Sequence, residues 1–122
     1  MIDDEFLKKL RVAFRSEAEE RLKNISSSLK DLKGISSSPD KQKPFLEIIF
    51  REAHSLKGAS RVVNFEDIEN LCQSVEETFG ALKREEIELS PEIIEKVHYM
   101  VDTIERFLTD FEKVQIPFRG VT

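Results

Sequence analysis

The chain has 122 residues, 35% charged and 39% apolar, with a formal net charge of −5. That size suits one domain with its own core, and the mixed, slightly acidic charge excludes nucleic acid as the main partner. No stretch approaches the ~18 consecutive apolar residues of a membrane span, and the acidic start at Asp3, Asp4 and Glu5 does not read as a secretory leader.

Apolar residues recur at helical spacing from about residue 4 to 33. Leu7, Leu10, Phe14, Ala18, Leu22, Ile25, Leu29 and Leu32 form one stripe for burial. Acidic residues crowd the first turn, and Lys33-Gly34 is expected to close the helix with a left-handed cap. Residues 35–43, with three serines and Pro39-Asp40, read as a linker. A second helix is expected over about 42–62, with Pro44 in or before its first turn. Phe45, Ile48, Ile49, Ala53, Leu56 and Ala59 are its inward residues. Asn64 is expected to cap a third helix over about 65–84, whose stripe is Phe65, Ile68, Leu71, Cys72, Val75, Phe79 and Leu82. The short connection makes these two helices antiparallel neighbours.

Ser90-Pro91-Glu92 is the clearest helix start, with a cap, a proline at the first position and then an acid. It opens a fourth helix over about 91–114, burying Ile94, Val97, Met100 or Val101, Ile104, Leu108 and Phe111. Gln115-Ile116-Pro117 ends it, so residues 1–116 form the domain and 117–122 begin a linker or tail. The expected fold is all-α, an antiparallel four-helix bundle.

The second helix also carries a polar ridge of Glu47, Arg51, His54, Lys57, Gly58 and Arg61 beside its buried stripe. The third carries Glu69, Gln73, Glu76 and Gly80. Counted from the turn near Asn64, His54 and Glu76 fall at nearly the same height. A carboxylate that accepts from one imidazole nitrogen leaves the other unprotonated and able to attack a phosphoryl group. Lys57, one turn after His54, can reach a phosphoryl oxygen. Gly58 removes the side chain that would crowd the ring.

His54-Ser55-Leu56-Lys57-Gly58 resembles the His-x-x-Lys-Gly signature of histidine phosphotransfer (Hpt) domains. The longer run from Phe50 to Arg61 resembles the N-terminal phosphotransfer domain of CheA-type chemotaxis histidine kinases. Ile68, Leu71, Val75, Glu76 and Phe79 are similar to that family's third helix. The resemblance implies that His54 accepts a phosphoryl group from an ATP-binding kinase domain, in cis or in trans. It further implies transfer to an aspartate of a response-regulator receiver domain, with Glu76 orienting His54, Lys57 contacting the phosphoryl group and Gly58 giving access. Gln73 stands where the family often has a second histidine; it hydrogen-bonds but does not titrate near neutrality. A fifth helix, frequent in the family, would lie beyond the chain end, and the chain reads as the N-terminus of a larger kinase.

Other features read more plainly. Arg51 and Arg61 read as solvated charges, with steering of an acidic partner as the lesser alternative. Glu95 and His98 have the Glu-x-x-His spacing of di-metal bundles, but Arg51 stands where a second copy is needed. Cys72 is the only cysteine, which excludes an internal disulfide and suits a reducing cytoplasm. No glycine-rich phosphate loop is present, so the domain depends on a kinase for its phosphate. No cofactor, metal or membrane is expected, and the domain is expected to be a monomer. The rival reading is a degenerate bundle that only docks partners.

Overall fold

The structure, a computed structural model, describes residues 4–35 and 38–114, with side chains as far as Asp110. Four helices follow one another: α1 (Asp4–Gly34), α2 (Pro39–Val62), α3 (Glu66–Lys83) and α4 (Pro91–Val114). α1 and α3 each touch both α2 and α4, which closes a four-helix bundle. The burial expected for Phe111 and the tail at 115–122 lie outside the described side chains and residues.

The stripe expected for α1 is the buried one, with Leu10 half-buried at its edge. Gly34 is the last helical residue rather than a left-handed cap. α2 begins three residues earlier than its periodicity suggested. Pro39 supplies a preset backbone at the first position, and the carbonyl of Ser38 accepts from the amides of Lys41 and Gln42 at 3.1 and 3.2 Å. Pro44 consequently falls inside the helix, where it lacks the amide that would reach back one turn.

The face of α2 is also rotated from the expected one. Leu46, Ile49, Ala53, Leu56 and Ser60 are buried, Phe45 and Ala59 only partly, and Ile48 is 39% exposed. Ser60 is tolerated in the core because its hydroxyl donates to the Lys57 carbonyl at 2.8 Å.

Asn64 is not the residue at the cap position of α3, which is Phe65. Asn64 instead ends α2 with a left-handed φ of 57°. The amide of Phe65 donates to Ser60 at 2.8 Å and that of Asn64 to Arg61 at 3.1 Å, the two bonds of a Schellman closure. The Phe65 ring lies 6.2 Å from that of Phe14 and 5.9 Å from that of Phe107, tying the turn to α1 and α4. Glu85, at φ 57°, closes α3 by the same two-bond pattern, and the Ser90 hydroxyl accepts from the Ile93 amide at 3.3 Å to start α4 as expected. Met100 and Val101 are both buried, so α4 uses both of the alternatives.

Side-chain pairs fix the register of α2 on α3. Arg61 with Glu69, Lys57 with Gln73, His54 with Glu76 and Glu47 with Lys83 are each placed symmetrically about Phe65. Only antiparallel helices folded about that turn give such pairing. Gly80 leaves the polar ridge expected of it and is buried, where an added Cβ would lie 3.4 Å from the Phe50 ring.

Candidate functional site

His54 projects from the middle of α2 with 64% of its side chain exposed. Its Nδ1 lies 3.2 Å from Oε2 of Glu76, which α3 presents from a site only 17% exposed. A carboxylate only accepts, so the ring nitrogen facing it is the one that carries a proton, and Nε2 is left on the open side.

Lys57 shares the same oxygen. Its Nζ lies 2.8 Å from Oε2 of Glu76, and its side chain is 17% exposed. Both approaches to Oε2 lie off the in-line hydrogen-bond direction, so they act chiefly as charge pairings. Lys57 also donates to Oε1 of Gln73 at 3.0 Å, and Nε2 of Gln73 donates to Glu77 at 2.7 Å. In this structure, therefore, Lys57 is turned inward onto α3 rather than outward beside the imidazole.

Burial pushes the Glu76 carboxyl up, but its contacts with Lys57 and His54 outweigh burial and hold it below the ordinary carboxylate value. At Cys72 burial prevails over the opposing charge of Lys57. Its thiol is pushed up to about 12, with the charge of Glu76 adding to the effect, as befits a core residue rather than a nucleophile.

Gly58 is exposed, and a Cβ built on it would meet nothing within 4 Å. Packing within the chain therefore does not require glycine there. Arg51 pairs with Glu47 at 3.0 Å and Arg61 with Glu69 at 2.9 Å, both arginines largely exposed. Ile48, Ser55 and Val62 recur every seven residues on the outer side of α2, and Val62 is 71% exposed. Sequence reasoning missed this stripe because Ile48 also fits an inward period. It missed Glu77 as well, although the spacing of Gln73 and Glu77 is a helical i,i+4 pair.

His98 lies on α4, apart from this cluster, and its Nε2 is buried without a hydrogen-bond partner among the described residues. No three His, Cys, Asp or Glu side chains come together as a metal site among those residues. Two surface grooves, one between α1 and α4 and one near Pro39 and Leu89, are not lined by His54. The imidazole is largely open to solvent.

A family model for the Hpt domain matches residues 9–107, well over half of the chain. The chain belongs to the Hpt domain family. This Hpt domain is 29% identical over 110 residues to a chemotaxis protein CheA of Halobacterium salinarum. The match covers 90% of this chain and 16% of that protein, so the chain spans about a sixth of its relative's length. The fold is similar to that of the CheA phosphotransferase domain from Thermotoga maritima. The TM-score is 0.78 at 23% identity, covering 86% of this chain and 96% of the other. The four-helix bundle is thus the shared architecture. No helix among the described residues is long and apolar enough to cross a membrane.

Proposed function

We propose that His54 is the phosphoryl acceptor of this Hpt domain. Nε2 attacks the terminal phosphorus of ATP held by a kinase domain, in cis or in trans; an N–P bond forms as the bond to the ADP oxygen breaks. An aspartate of a receiver domain then takes the phosphoryl group, forming an acyl phosphate as the N–P bond breaks. Nδ1 keeps its proton, directed at Glu76, throughout, and Lys57, held between Glu76 and Gln73 one turn from His54, offers its ammonium to a phosphoryl oxygen.

The observation that carries this reading is the exposed imidazole held by a half-buried carboxylate at Nδ1, which leaves Nε2 open. The relatives named for chemotaxis support a chemotaxis-like pathway, a kinase as donor and a receiver domain as acceptor. Ile48, Ser55 and Val62, with Gly58 between them, offer an apolar and small surface beside His54 for that receiver. Arg51 and Arg61, largely exposed though paired with Glu47 and Glu69, would steer its acidic acceptor site. The domain works as a monomer in the cytoplasm.

The test is incubation with a separate CheA-type kinase core and ATP labelled on its terminal phosphate. The expected result is acid-labile, base-stable label on the wild type and on His98→Gln, and none on His54→Gln at unchanged melting temperature. Stoichiometric label on His54→Gln would overturn the assignment. A folded wild type that takes no label, yet binds the receiver, would leave only docking.

A further inference from the structure

The contacts around His54 form one chain: Glu77, Gln73, Lys57, Glu76, His54. The chemistry of its members dictates its polarity. A carboxylate only accepts and an ammonium only donates, so an amide placed between them has one satisfactory orientation. Its nitrogen faces Glu77 at 2.7 Å and its oxygen faces Lys57 at 3.0 Å. Reversed, it would set a donor against the ammonium and an acceptor against the carboxylate.

We propose that Glu77 is a positioning residue for phosphoryl acceptance. By holding the Gln73 amide, it keeps an acceptor aimed at Lys57 and so fixes the cation that shares Oε2 of Glu76 with His54. Lysine is a flexible four-carbon stem that loses considerable rotamer freedom when it is held. Gln73 and Glu76 together restrain Nζ before any phosphate arrives, so less ordering remains for the transfer step. The neighbouring ion pairs of the helix interface, Arg61 with Glu69 and Lys83 with Glu47, engage each other and leave this chain to itself.

The proposal rests on His54 being the acceptor, so one readout must not depend on phosphorylation. That readout is the exchange of the Lys57 ammonium protons with water, followed by NMR at low temperature in the unphosphorylated domain. Glu77→Ala should speed the exchange by about threefold, the effect of one exposed charge-assisted hydrogen bond. In a Gln73→Leu background, Glu77→Ala should change it no further. Unchanged exchange in Glu77→Ala, or an equal increase in the Gln73→Leu background, would overturn the proposal.

The second readout is the initial rate of phosphoryl acceptance from the kinase core. It should fall about threefold in Glu77→Ala, stay near wild type in Glu77→Gln, which keeps an acceptor, and show no added loss over Gln73→Leu alone. A loss that persists in the Gln73→Leu background would mean that Glu77 acts through docking or long-range charge. A rate that stays at the wild-type value despite faster Lys57 exchange would remove its part in transfer. Failure of every protein to take label, with the exchange results as expected, would sink the acceptor reading and leave the positioning of Lys57 standing.

Discussion

At Glu76, burial and charge oppose each other. Desolvation favours the neutral acid, the contacts with Lys57 and His54 favour the carboxylate, and the carboxylate prevails. A carboxyl whose folded value lies below its unfolded one stabilises the protein above the unfolded value and loses that contribution as pH falls through the folded one. Glu76→Gln should therefore cost about 1–3 kcal/mol near neutral pH, the penalty for leaving the largely buried Lys57 ammonium without its counter-charge. The deficit should shrink as pH falls below the ordinary carboxylate range and vanish only once the wild-type carboxyl, held below that range, is itself protonated. Thermal melts of both proteins between neutral and acidic pH check this, and a constant gap would count against the pairing. His54→Gln is the contrasting case: with its side chain mostly exposed, it should leave the melting temperature within a degree or two, as about 0.5 kcal/mol would. His54 and Glu76 were both legible as a pair from their distances to the turn. The inward turn of Lys57 was not, because a lysine stem allows many rotamers and only the partners around it select one.

Between helices, small backbone choices hold the site in register. Gly58 is helical, exposed and free of neighbours, so Gly58→Ala should stabilise the domain by about 0.5–1 kcal/mol in denaturant unfolding. A long residue there, as in Gly58→Lys, should leave stability near wild type while weakening receiver binding; equal affinity would remove the case for access. Glu85 adopts the left-handed conformation that a side chain disfavours, so Glu85→Gly should raise stability by about 1 kcal/mol despite the freer unfolded chain. Asn64 occupies the same conformation between α2 and α3, where asparagine is tolerated better. The existence of a turn there was readable from its short span. Its role as the end of α2 rather than the cap of α3 depended on two backbone bonds to Ser60 and Arg61.

For the bundle as a whole, the core is one layer shared by four helices, and Phe79 lies wholly within it, one turn from Glu76. Phe79→Ala should cost about 3–5 kcal/mol in denaturant unfolding, and phosphoryl acceptance should fail first near the lowered melting temperature, as α3 loosens. The sequence by itself determined the four helices, most of their buried stripes, and the His54 and Glu76 pair. Periodicity, proline positions and a short turn are local properties, and they are the same in any compact arrangement of these helices. The tertiary structure alone decided which way α2 is rolled, turning Leu46 in and Ile48 out, because both residues satisfy a helical period and only the neighbouring helices choose between them. It also decided that Lys57 rests on Glu76 and Gln73, and that Glu77 holds Gln73 in turn. Those pairings follow from the register of α2 on α3, and long polar side chains have no preferred partner until that register exists.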